Sequence, residues 1–155
     1  MSVAQPRRSQ QRLALGSYVK LMRAANSARA FASLSLAGTG VTLTQFAVLE
    51  ASFHLGPLSL SDIAQKVLTT GGNLTMVVGN LEQQGLAKRQ RCPDDRRMQI
   101  VVLTAKGKSL IRRTFPRHAG AIVEFLSILS AEQQETLGDL CRKLGRQVGG
   151  QKPEA

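Results

Sequence analysis

Apolar residues between Ser9 and about Phe31 recur three and four apart, at Leu15, Tyr18, Val19 and Met22. That is the period of one helix face, and it predicts a first helix whose stripe faces a core. The small residues of "SLSLAGTGV" break it. A second helix starts at Thr42, because Thr42 and Gln45 stand at capping-box spacing and Phe46, Leu49 and Phe53 give it an apolar face. "LGP" at 55 to 57 stops it: Gly56 is free to take a positive φ, and Pro57 cannot continue a helix. His54, close to that end, reads as a cap interaction.

Two short helices follow with a tight break between them. Ser59 and Asp62 cap the first, which turns Ile63, Ala64 and Val67 inward. Thr70 is expected to cap the second, whose Leu74, Val77, Val78 and Leu81 recur at i, i+3, i+4 and i+7 before Gly85 closes it. Helices this short and this tightly joined predict a helix-turn-helix. The period then switches toward two. "LAKRQRC" and "MQIVVLT" read as strands, with "PDDRR" as the turn between them, since Pro and Asp are turn formers. A hairpin directly after a helix-turn-helix is a wing.

The final third returns to helix. Thr104 is its cap, Leu110, Ile111, Phe115, Ile122, Leu126 and Leu129 form its stripe, and Pro116 is expected to kink it. A second capping box, Ser130 with Gln133, opens a last helix with the stripe Leu137, Leu140, Cys141, Leu144 and Val148. Its place on that stripe makes Cys141 a core residue by expectation. The two terminal helical segments have no core of their own, so they are expected to pack on each other or on a second chain.

Composition adds a partner. The chain has 155 residues, 43% of them hydrophobic, which is enough for one domain with a real core. Its formal charge is +11, and no Asp or Glu occurs before Glu50. So segregated a basic excess points to a polyanion, with nucleic acid first and an anionic membrane surface second. The acid-free start superficially resembles an organelle transit peptide, but the stripe from Leu15 to Met22 favours a packed helix. No apolar run approaches the roughly 20 residues of a membrane span. Cys92 and Cys141 form no C-x-x-C pair, which argues against a disulfide scaffold or a Cys-rich zinc site and for a reducing cytoplasm.

Catalytic chemistry finds no constellation. His54 and His118 are isolated in sequence, and no H-E-x-x-H, G-x-S-x-G or phosphate-binding loop occurs. No cofactor or metal is expected. Cys92, beside Arg91 and near Arg89, is the one thiol with reactive potential, and an inert structural thiol is the favoured reading.

Several segments in order resemble the MarR family of winged-helix transcription regulators. "TLTQFAVLEA" is similar to the family's second helix, "GPLSLSDIAQKV" to its short strand and third helix, and "TTGGNLTMVVGNLEQQGL" to its recognition helix with the closing L-E-x-x-G-L. "DDRRMQIVVLTAKG" matches the wing pattern D-x-R followed by L-T-x-x-G, through Asp95, Arg97, Leu103, Thr104 and Gly107. The resemblance implies a mainly α fold with a small β-wing, in one domain over 1–155. A winged helix-turn-helix at 42–107 is then flanked by dimerisation helices at 9–35 and 108–148. It also implies a homodimer on double-stranded DNA, with the recognition helix in the major groove and the wing in the minor groove. Members often bind small aromatic anions between dimer and DNA lobes, so a small aromatic or anionic effector is expected, although no residue here identifies its site. The peroxide sensors of the family keep a reactive Cys in the N-terminal helix, where this chain has none.

The residues expected to meet DNA follow from that frame and from base chemistry. Asn73 is suited to pairing adenine, Thr75 and Met76 to touching a thymine methyl, and Gly72, beside Gly71 and Thr70 at the helix start, to close approach of phosphate. Between Thr70 and Gln84 there is no Lys or Arg, so affinity must come from elsewhere. In the wing, Arg97 is the residue carried over to the minor groove and Asp95 braces its turn, while Lys88, Arg89, Arg91 and Arg96 add phosphate contacts. The bland alternatives are a solvated charged hairpin and an extended helix cap at Asn73 and Thr75. Where the family usually has an Asp, this chain has Gly79, which removes a helix-internal bond. The expected function is a sequence-specific regulator, a repressor by preference. The alternative from another class is a basic RNA- or ribosome-associated winged-helix protein, which dimerisation would discriminate.

Overall fold

The computed structural model describes residues 8–67 and 71–147. Among these residues six helices and three strands follow one another as α1 (Arg8–Leu34), α2 (Leu43–Leu55), β1 (Leu58–Ser59), α3 (Leu60–Val67), α4 (Gly71–Gln83), β2 (Ala87–Arg91), β3 (Gln99–Leu103), α5 (Ala105–Leu126) and α6 (Ala131–Gly145). The strands form one antiparallel sheet in the order β1-β3-β2. Leu58 lies opposite Val101, and the hairpin runs from the pair Ala87 and Leu103 to the pair Arg91 and Gln99. Fold class and element order are those expected.

Local chemistry sets the boundaries. The Gln45 amide donates to Thr42 Oγ1 at 3.2 Å and the Thr42 amide to Gln45 Oε1 at 2.8 Å, the reciprocal capping box that satisfies two otherwise orphaned donors at the start of α2. Gly56 ends α2 at φ +83°. The Asp62 amide donates to the Ser59 hydroxyl at 3.1 Å to cap α3, and Ser130 with Gln133 repeats the capping box on α6. Gly85, at φ +70°, closes α4 in a Schellman turn, with the Leu86 amide donating to the Leu81 carbonyl at 2.9 Å and the Gly85 amide to the Glu82 carbonyl at 2.9 Å.

The core lies inside the winged unit. Phe46, Val48 and Leu49 of α2, Ile63 of α3, Leu74, Val78 and Leu81 of α4, Val101 of β3 and Ile111 of α5 are fully buried in one cluster. Each such aliphatic or aromatic side chain contributes about 1.5–3 kcal/mol of transfer free energy. Where β2 meets α5, the L-T-x-x-G signature has a steric and polar cause. The Thr104 hydroxyl accepts from the Gly107 amide at 3.1 Å and donates to the Gly85 carbonyl at 2.7 Å, while Lys106 Nζ reaches the Gln84 carbonyl at 2.7 Å. A Cβ on Gly107 would sit 2.0 Å from the Leu86 carbonyl oxygen. Only glycine lets α5 start so close to the strand.

Several expectations are corrected. α1 extends to Leu34, and its stripe of Leu15, Tyr18, Val19 and Met22 is exposed, with Ala32 the one buried residue of that helix. The cause is geometric: α1 meets the rest of the chain near its C-terminal end, where Ala32 is buried and the Phe31 ring lies 5.6 Å from that of Phe125 on α5. Cys141 is exposed and not core, because α6 buries no residue at all. α5 ends at Leu126, short of Leu129, with Pro116 inside the helix, where its ring removes one helical hydrogen bond. His54 lies in the last turn of α2, as expected, and its ring also packs against Phe53 and Phe115, with centroids 5.3 and 5.2 Å away. His118 ties α5 to α2 and to the turn after α1, its ring tilted against that of Phe46 with centroids 4.7 Å apart and its Nδ1 hydrogen-bonded to the buried Ser35 hydroxyl at 2.8 Å. The cap expected at Thr70 and the stripe position Val148 lie outside the described residues.

Candidate nucleic-acid interface

α4 buries one side and presents the other. Leu74, Val77, Val78 and Leu81 face the core, which leaves Gly72, Asn73, Thr75 and Met76 at the surface of its first two turns. Met76 is 61% exposed, an apolar side chain held on the rigid outer face of a helix. A Cβ on Gly72 would meet nothing within 4 Å, so its backbone is open to close approach. α4 carries no cation, and its single acid, Glu82, is turned toward the sheet.

Glu82 makes the joint between α4 and the wing. Its carboxylate accepts the Arg89 amide at 2.7 Å, and the Arg89 guanidinium donates to it through Nε at 3.0 Å and Nη2 at 2.7 Å. These charge-assisted side-chain bonds, then the backbone bond, hold the Glu82 carboxyl below its ordinary range and raise Arg89 above its own. Two consequences follow. The one negative charge of α4 is neutralised, and β2 is clamped to the helix. Arg89, expected on phosphate, is therefore committed within the molecule.

At the wing tip the remaining charges are free to face outward. The Arg97 amide donates to Asp95 Oδ1 at 3.0 Å, an Asx-type turn, and the Met98 amide donates to the Asp95 carbonyl at 2.9 Å. Cys92, half-buried, closes the hairpin from the other side, its amide donating to the Met98 carbonyl at 2.8 Å. The Arg97 guanidinium lies 3.5 Å from the same carboxylate yet its side chain is 94% exposed. At that exposure an ion pair contributes little, so the backbone bond is the brace and the guanidinium remains available. Lys88, Arg91 and Arg96 are exposed along the same hairpin.

Structure thus brings Gly72, Asn73, Thr75 and Met76 together on one helix face, and Arg91, Asp95, Arg96 and Arg97 together on one hairpin; Thr70 lies outside the described residues. Sequence reasoning missed the clamp. Its signal was the Glu of L-E-x-x-G-L seven positions before Arg89, a spacing that becomes a contact only once the chain turns back at Gly85. Among the described residues no group of His, Cys, Asp and Glu is arranged to hold a metal ion, and no helix is long and apolar enough to cross a membrane.

Known proteins resemble this chain in sequence and in fold. Residues 41–98 match the family model described as MarR family. The chain is 36% identical over 128 residues to the HTH-type transcriptional regulator MhqR of Bacillus subtilis (strain 168), covering 83% of this chain and 88% of that one. Among solved structures, the PcaV transcriptional regulator from Streptomyces coelicolor, in complex with its natural ligand, superposes with a TM-score of 0.72 at 28% identity, covering 81% of this chain and 89% of PcaV. Reduced AbfR bound to DNA superposes with a TM-score of 0.73 at 25% identity, over 90% of this chain and 97% of AbfR. A helix with a polar outer face, a basic wing clamped to it and these likenesses lead to one conclusion: the chain belongs to the MarR family of winged helix-turn-helix, DNA-binding transcription regulators.

Proposed function

We propose that the protein acts as a homodimer that reads a pseudo-palindromic operator, each protomer placing α4 in the major groove and its wing in the adjacent minor groove. The observation that carries this reading is the Glu82–Arg89 clamp, which makes the polar helix face and the cationic hairpin one rigid body. On that body Asn73, Thr75 and Met76 read base edges, Gly72 admits a phosphate, and Arg97 enters the narrow, negative groove. Arg91 and Arg96 hold phosphates, and Asp95 orders the turn beforehand, so less conformational entropy is lost on binding. Repression needs nothing beyond occupancy of the operator.

Dimerisation is supported by what the single chain leaves uncovered. Tyr18 on α1 is 60% exposed, and Leu140 and Leu144 on α6 are each 53% exposed, on helices that bury almost nothing else. A two-fold partner would cover both stripes and set the recognition helices about one DNA turn, roughly 34 Å, apart. A small effector between the lobes fits the same architecture, as PcaV is held with its natural ligand.

Arg97→Ala tests the readout. It is expected to weaken specific binding by about 1–3 kcal/mol and relax preference at A·T-rich flanks, while melting temperature stays unchanged. Footprinting and titration on one operator at fixed salt measure this. Equal loss on random DNA would make Arg97 a phosphate contact and sink the minor-groove assignment. Equal affinity for RNA and operator DNA would sink the operator reading altogether.

A further inference from the structure

One cleft within the winged unit combines features that are each unfavourable when it is empty. It measures about 300 Å³ and is lined by Ser52 and Phe53 of α2, Pro57 of the turn that follows, Leu103 of β3, and Lys108 and Arg112 of α5. The Ser52 hydroxyl is buried, and it is the one buried side-chain polar atom among the described residues without a hydrogen-bond partner. Leaving such a group unpaired costs about 1–3 kcal/mol. Lys108 and Arg112 stand one helical turn apart on the amino-terminal half of α5, where like charges repel and the helix dipole disfavours cations. Neither belongs to an ion pair among the described residues. Arg112 is nonetheless held in place, its guanidinium 5.7 Å above the Phe53 ring.

An anion in the cleft relieves the charge repulsion, and a rotation of the Ser52 side chain, which lines the cleft, would give its hydroxyl an acceptor. A carboxylate would be matched by a single bidentate arginine; here two separate cations line the space beside the Ser52 side chain, which suits a tetrahedral head group with three terminal oxygens and a charge near −2. Phe53, Pro57 and Leu103 supply apolar walls for a compact body, at the lower end of the size range for small-molecule sites. We propose that this cleft is a binding site for a phosphate monoester with a small apolar body. It is made by one protomer and shares no residue with the DNA-reading surface, so the inference does not depend on the proposed operator geometry.

The competing account is that Lys108 and Arg112 simply answer the carbonyl end of α2. Calorimetric titration of the full-length protein, without DNA and at fixed ionic strength, separates the two, using phenyl phosphate, benzoate and inorganic phosphate as probes. Phenyl phosphate is expected to saturate one site per chain and to bind about tenfold tighter than either of the others, because only it offers both head group and apolar body. Arg112→Gln should weaken it about tenfold, and Ser52→Ala about threefold without lowering the melting temperature, since an unpaired buried hydroxyl is removed. Arg142→Ala, which deletes the same charge on α6, should change nothing. Absence of saturable binding, tighter binding of benzoate, or equal loss with Arg142→Ala would overturn the proposal. Operator titration of the same ligand-free protein reports separately on the DNA reading.

Discussion

The winged unit and the terminal helices obey the same sequence pattern and reach opposite ends. Leu74, Val77, Val78 and Leu81 on α4 and Leu137, Leu140 and Leu144 on α6 are both apolar rows at helical spacing, yet the first row is buried and the second is exposed. α6 has as clean a capping box as α2 and is as well formed locally. What separates them is supply of a second surface. α4 is answered by α2, α3 and the hairpin of the same chain, whereas among the described residues nothing covers the apolar rows of α6 or of the amino-terminal two-thirds of α1. Amphipathic periodicity specifies that a face wants covering; it does not say by what. Large contiguous exposed apolar faces on a monomer mark an interaction surface, which is why the proposed dimer uses these helices.

The contrast breaks most sharply at Gly107. Gly107→Ala drives a methyl into the Leu86 carbonyl, a backbone atom that cannot rotate away, and is expected to destabilise the winged unit by about 3 kcal/mol or more. Chemical denaturation measures it. A loss below 1 kcal/mol would mean that α5 re-seats easily and that the tight junction is not what holds the two regions together. On the other side, Leu140→Glu with Leu144→Glu should leave the winged unit folded while converting the proposed dimer to monomer and abolishing operator binding. Sedimentation and near-ultraviolet dichroism decide this, and a dimer that persists would show that α6 is not its seam.

A smaller effect sharpens the comparison within the interface. Glu82→Gln keeps the shape of the clamp but loses its charge-assisted bonds, and is expected to cost about 1–2 kcal/mol, since the pair is only partly screened. Its pH dependence has a definite sign. Because folding lowers the Glu82 carboxyl below its ordinary 4.5, the contribution is complete above that value and disappears as pH falls through the lower folded value. Wild type and Glu82→Gln should therefore converge in stability in acid. Parallel curves down to acid pH would contradict the clamp.

The smallest effect lies at the wing tip. Asp95→Ala removes the acceptor of the Arg97 amide and should weaken operator binding by about 0.5–1 kcal/mol, although it removes a negative charge near DNA. Asp95→Asn retains that acceptor and should bind at least as well as wild type. Tighter binding by the alanine variant would show that charge summation, not turn bracing, governs "CPDDRR".

Much of this was legible from the chain because it rests on contacts a few residues long. Capping boxes at Thr42 and Ser130, the glycine stop at Gly85 and the Asx turn at Asp95 are each written within four positions and need no tertiary partner. Burial of the α4 row was legible for the same reason, since elements on both sides of it in sequence supply its partners. The Arg89 assignment failed where the chain folds back: a basic residue in a basic strand reads as a phosphate contact until the turn at Gly85 brings Glu82 beneath it. The ring contact on His54 was hidden in the same way, because Phe115 reaches it from sixty-one positions away.

By itself the sequence determined the elements, their order, the helix-turn-helix with its wing, and which faces are apolar, because hydrogen-bonding caps and hydrophobic periodicity act over one or two turns. Only the tertiary structure decided that Glu82 binds Arg89, that Gly107 must lack a side chain, that His118 ties Ser35 to Phe46, and that the stripes of α1 and α6 stay open. Those outcomes depend on which distant surfaces arrive at contact distance, and dispersion, steric exclusion and short hydrogen bonds act only there.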